Sequence, residues 1–259
     1  MSPRSIAPRM GLAVVLLATA GCAAQPSATP QAMPSAAASA TASLPVQSIA
    51  AGCPNPESEV CLGTVTAGTY HSEVFRPPLT FTVPDGWQAL EDVSSAYLLV
   101  APGDSLDGVN SGGSDFISLH TNVAAANQTC TTDAEAMSTE PGIATTPEAI
   151  ADELAARPGL EQTNRRNVSL GGFEGVEFDL RIEDGFTGSC FYEPDVPTVQ
   201  ALVNSYASSF NHPVQAGQTM RLYLLAVAAD STMAIEIDDW GNGHSVDEYS
   251  QIVETFQFN

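Results

Sequence analysis

Lysine is absent from this sequence: all eight basic residues are Arg, against thirty Asp and Glu in 259 residues, for a formal net charge of −22. A surface of that sign repels phosphate backbones and anionic head groups, so nucleic acid is excluded as a partner. Also absent is any apolar run of the roughly 20 residues that a membrane-crossing helix needs. No C-x-x-C spacing, G-x-S-x-G elbow, G-x-G-x-x-G or G-x-x-x-x-G-K-[ST] occurs. Local zinc clasps, serine-hydrolase elbows and nucleotide cradles therefore have no sequence support, and no cofactor is expected.

What is present begins at the N-terminus. Arg4 and Arg9 precede the ten-residue apolar run Gly11 to Ala20, which has the length of a signal-peptide core. Ala18-Thr19-Ala20 fits the small-x-small site of ordinary secretion, whereas Thr19-Ala20-Gly21-Cys22 resembles the lipobox of bacterial lipoproteins. Thr19 stands where that motif most often has Leu. Cysteine number favours the second reading, since the chain has five, Cys22, Cys53, Cys61, Cys130 and Cys190. Exported proteins seldom leave one free, and assigning Cys22 to lipid leaves four to pair. The expectation is a leader over 1–21, a lipidated Cys22, and a location on the extracytoplasmic face of the cell membrane. Losing Arg4 and Arg9 with the leader leaves six Arg against thirty acids, a net of −24.

Residues 22–52 are Ala, Ser, Pro and Thr-rich after Cys22 and carry no charge, which predicts a stalk with too little apolar surface to fold. Residues 53–259 contain the aromatics, β-branched residues and charges of a single globular domain. Short alternating runs, LTFTV, AYLLV and FISLHT, predict strands. Val168–Leu170 and Phe173–Ile182 form a hairpin across Gly171-Gly172, and Val176, Phe178, Leu180 and Ile182 alternate with polar residues. Leu222–Val227 and Met233–Ile237 form another hairpin. Thr146-Pro147-Glu148 and Ser245 with Glu248 mark two helix starts. Residues 183–218, punctuated by Pro, are expected to be irregular. The fold class predicted is α+β, an antiparallel sheet packed by two main helices.

The stretch GTYHSEVFRPPLTFTVPDGW (Gly68 to Trp87), followed by TPEAIADEL, GGFEGVEFDL, MRLYLLAV and IVETFQF, resembles exported actinobacterial-type lipoproteins of unknown function. The resemblance implies location and fold, some of that class having a PsbP-like α/β/α sandwich. It supplies no catalytic residues.

Candidate sites are sparse. Cys53 with Cys61 and Cys130 with Cys190 are the expected disulfides in an oxidising compartment. His71, His120, His212 and His244 are scattered, and His244-Ser245 with Asp238 and Asp239 is the least poor catalytic constellation; helix capping by Ser245 explains it more simply. Asp238, Asp239, Asn242 and Asp247 are hard oxygen donors of the kind calcium takes, but their spacing is not that of an EF-hand and Asp and Asn also make ordinary turns. The loop Asp104 to Asp115 has the same ambiguity. Neither a catalytic set nor a metal is assigned. The leading expectation is a non-enzymatic binding or accessory module for a small apolar ligand, a lipid or an envelope protein, with Phe186, Phe191, Tyr192, Tyr206 and Phe210 as candidate lining. The alternative is an envelope hydrolase assembled from residues distant in sequence. A deep apolar pocket would favour the first, a convergent set of titratable groups the second.

Overall fold

Alternation with a period of two places successive side chains on opposite faces of a strand, and it runs through most of this chain. The computed structural model describes residues 46–48, 63–204 and 211–259. These belong to one unit, Ser43–Asn259. Cys22, Cys53, Cys61, Tyr206, Phe210, the leader and most of the expected stalk lie outside the described residues.

The elements are β1 (Val46–Ser48), β2 (Gly63–Thr64), β3 (Gly68–Ser72), β4 (Leu79–Val83), β5 (Gln88–Asp92), β6 (Ala96–Val100), α1 (Leu106–Ser111), β7 (Phe116–Thr121), β8 (Val123–Ala125), α2 (Asp133–Ala136), α3 (Pro147–Ala156), β9 (Leu160–Leu170), β10 (Phe173–Ile182), β11 (Thr198–Asn204), β12 (Asn211–Gln215), β13 (Thr219–Ala228), β14 (Ser231–Asp239), α4 (Val246–Val253) and β15 (Gln257–Phe258). They form three sheets. The largest runs β2-β5-β6-β7-β14-β13-β10-β9; the others are β1-β3-β4-β15 and β12-β11-β8. Every pairing is antiparallel except β1 with β3. β1 lies within the stretch expected to be stalk.

The large sheet has a core on each face. On one, Tyr97, Leu99, Ile117, Leu119, Ile235 and Ile237 pack with Tyr70, Phe81 and Val83 of the four-stranded sheet and with Tyr249, Ile252 and Val253 of α4. On the other, Val176, Phe178, Leu180, Leu222 and Leu224 pack with Ile150 and Leu154 of α3 and with Val199, Ala201 and Val214 of the three-stranded sheet. A smaller cluster on this second side joins Leu98, Val100 and Phe116 to Leu106 and Val109 of α1.

The expectation of an α+β fold, one sheet packed by two main helices, is corrected: among the described residues strand outweighs helix 47% to 15%, and sheets provide most of the layers. Both predicted helices form, Thr146 Oγ1 accepting from the Ala149 N–H at the start of α3 and a Ser245–Glu248 capping box opening α4. They are short plugs in a β structure. Much of the discrepancy lies in two segments. Residues 183–218, expected to be irregular, contain β11 and β12; Pro213 is accommodated because β12 is an edge strand, where a missing N–H leaves no ladder bond unmade. The polar run 161–167 forms most of β9, the other kind of edge, exposed and charged as edge strands tend to be. The β9–β10 turn does fall at Gly171-Gly172, both with positive φ, as a tight hairpin requires.

Candidate functional site

Strands β7 and β14 pair in the middle of the large sheet, with Ile235 opposite Leu119 and Ile237 opposite Ile117 on the apolar face. Their alternate residues, Ser118 and His120 on β7 and Glu236 and Asp238 on β14, necessarily point to the other face. There the α1 cluster and the α3 core leave a gap, and a cleft of about 380 Å³ opens. His120 is flanked by Ala96 on β6 and Ala234 on β14. These small side chains leave room for the His212 ring, brought over by β12. The two imidazole centroids are 4.3 Å apart and inclined at 67°.

His212 Nδ1 contacts Glu236 Oε2, and one donor atom from each of His120, His212 and Glu236 lies within 4.8 Å of the others. All three residues are at most 3% exposed. Asp238 and Ser118 are buried too, and Asp238 Oδ1, Ser118 Oγ and the Tyr192 hydroxyl, all in the cleft lining, make no hydrogen bond among the described residues. Burial pushes the His120 imidazole well below its ordinary value, and the adjacent His212 adds to this. Burial likewise holds the Asp238 carboxyl well above the usual carboxylate range; neighbouring Glu236 reinforces the effect and a hydrogen bond with Gln218 opposes it. Among the described residues, Glu91 and Glu193 complete the carboxylates around the cleft, and no Arg lines it.

The calcium candidates do not assemble. Asp238 faces this cleft. Asp239 Oδ1 accepts from the Gly241 N–H at 2.7 Å, and Asp247 pairs with Arg221 Nη1 at 2.7 Å. The Asn242 side-chain amide donates to Asp104 Oδ1 at 3.2 Å and to the Gly113 carbonyl at 2.7 Å. The two acidic loops do meet, but as a hydrogen-bonded lock: Asp115 Oδ1 accepts from the Trp240 N–H and Oδ2 from the Tyr249 hydroxyl. His244 and Ser245 belong to the start of α4, with His244 Nδ1 3.5 Å from Glu248.

Cys130 and Cys190 form a disulfide with a Cα separation of 5.1 Å. It ties the segment before α2 to the one carrying Tyr192 and Glu193, both in the cleft lining. Of the other described aromatics considered as lining, Phe186 packs on the α3 core and Phe191 is exposed. A second cleft, bounded by Trp87, Pro84, Tyr249 and Ile252, lies against α4. Among the described residues no helix is long and apolar enough to cross a membrane.

Sequence reasoning missed the His120–His212–Glu236 cluster. The readable signal was polar alternation within FISLHT and AIEIDD, which puts Ser118 with His120 and Glu236 with Asp238 on one face of each strand. No family model matches this sequence, and no curated protein is significantly similar to it.

Proposed function

We propose that this protein is a lipid-anchored, extracytoplasmic binding module whose cleft between the large sheet and β12 takes a small cation. One observation carries the ligand class: among the described residues Glu91, Glu193, Glu236 and Asp238 line the cleft and no Arg does. Carboxylates facing a partly closed cavity focus a negative potential and concentrate counter-ions there. This replaces the expected apolar ligand, because an apolar occupant would leave buried carboxylate and hydroxyl groups desolvated without partners. Export and anchoring rest on the Thr19-to-Cys22 motif, and the Cys130–Cys190 disulfide supports an oxidising location.

The test is thermal melting of the full chain in titrations of alkylammonium, diamine and divalent metal salts, with acetate, phosphate and a fatty acid as comparators. Cations are expected to raise the melting temperature saturably, and the double replacement of Glu236 and Asp238 by Gln and Asn to abolish the shift. A saturable response to the anions or the fatty acid alone would overturn the ligand class. Cys22→Ala should move the protein from membrane to soluble fractions or leave it unprocessed; normal processing with retention in the membrane would overturn the anchor.

A further inference from the structure

Resting on the cation reading of this cleft, we infer that His120, His212 and Glu236 form a site for one divalent transition-metal ion of the zinc class. Three donors of the types that zinc takes, two imidazoles and a carboxylate, come from three strands and converge within 4.8 Å. Ligand atoms about 2.1 Å from a shared tetrahedral ion lie about 3.4 Å apart, so closure draws the most separated donors together by about 1 Å, within reach of side-chain rotation.

The donor chemistry separates metals as well. Calcium and magnesium take oxygen ligands, whereas imidazole suits zinc, copper, nickel and iron. His212 Nδ1 and Glu236 Oε2 are already in contact. Imidazole and carboxylate ligands bind a metal in their deprotonated forms, so such binding is pH-dependent and releases protons. Charge points the same way: Glu236 and Asp238 share a buried face of β14, and among the described residues no Arg lines the cleft to compete with a cation. Asp238 Oδ1 and Ser118 Oγ, buried in the same lining and without hydrogen-bond partners among the described residues, are further oxygen donors beside the three-ligand set. Three protein ligands with an open fourth position is the pattern of zinc sites that bind water or a substrate.

The experiment is calorimetric titration of the chelator-treated, untagged full chain with Zn²⁺, Ca²⁺ and Mg²⁺ at matched ionic strength, with Co²⁺ as a spectroscopic stand-in. The expected result is one Zn²⁺ per chain with proton release, no saturable Ca²⁺ or Mg²⁺ binding at the same concentrations, and Co²⁺ visible bands of nitrogen-containing low coordination. His120→Gln, His212→Gln and Glu236→Gln should each weaken Zn²⁺ by at least the roughly 10- to 100-fold that loss of even an outer-shell partner brings. His71→Gln, a more exposed histidine bonded to Thr80, should leave binding unchanged. Urea melts of the metal-free variants identify any that do not fold, and the Co²⁺ spectrum of the unaltered chain then decides the matter. Zn²⁺ binding that survives loss of both buried histidines, equal binding of Ca²⁺, or an oxygen-only Co²⁺ spectrum overturns the inference. Absence of Zn²⁺ binding with retained diamine binding overturns the metal and leaves the cation reading; absence of both overturns both.

Discussion

Leu119 and His120 are neighbours in the chain, both almost fully buried, yet they sit in opposite surroundings. Leu119 joins Ile117, Ile235 and Ile237 in a closed apolar core against α4 and the four-stranded sheet. His120 joins Ser118, Glu236 and Asp238 in a cleft whose polar groups are only partly satisfied by one another. The same two strands make both faces. One face is built for stability, and the other carries desolvated polar groups of the kind that proteins retain for function at some loss of stability.

That comparison can be broken most directly on the apolar side. Ile235→Ala should lower unfolding stability by about 2–5 kcal/mol, the range for large-to-small changes in closed cores, as read from urea denaturation of metal-free protein. A loss below 1 kcal/mol, on the order of a surface substitution, would show that this face is not the stabilising one.

One residue round the pleat from Ile237, Asp238→Asn should act in the opposite direction, raising metal-free stability at neutral pH by about 0.5–2 kcal/mol. The sign follows from linkage. The folded-state pKa of Asp238 is raised, so the folded chain holds this proton more tightly than the unfolded chain. Its contribution is most favourable below the unfolded value of about 3.9 and is lost as pH rises through the folded value. Asn removes that decline, so the stability difference between variant and parent should shrink in acid. A variant less stable than its parent at pH 7, with an unchanged pH slope, would show that the carboxylate is satisfied where it lies.

The smallest effect is expected at Ser118, whose hydroxyl has no hydrogen-bond partner among the described residues. Ser118→Ala should change stability by less than about 1 kcal/mol, because no formed bond is lost. Calorimetry of the two proteins side by side checks this, and a larger destabilisation would reveal a bond that anchors the cleft floor.

The helix starts at Thr146 and Ser245 and the Gly171-Gly172 turn were legible because each is decided by residues within four positions of one another. The pairing of Cys130 with Cys190 was also legible, by matching cysteines rather than by geometry. The alternation of Val176, Phe178 and Leu180 predicted a half-buried strand, but Glu177 and Asp179 on its other face are buried too. Asp179 is bound by Arg221 from β13, and Arg221 in turn reaches Asp247 of α4. Period-2 patterning says which residues share a face; it does not say whether a second layer covers that face.

The sequence by itself determined the sign of the surface charge, the cysteine set, the local caps and turns and the two-faced character of the strands, because these depend on composition or on contacts between near neighbours. The tertiary structure decided which polar face is exposed and which is enclosed. His212, 92 positions after His120, reaches it only because β12 joins a separate three-stranded sheet over the cleft. No local pattern encodes that crossing. The energies that place β12 there come from Val199, Ala201 and Val214 packing on the α3 core, and the histidine is carried to its partners by apolar burial that its own side chain does not share.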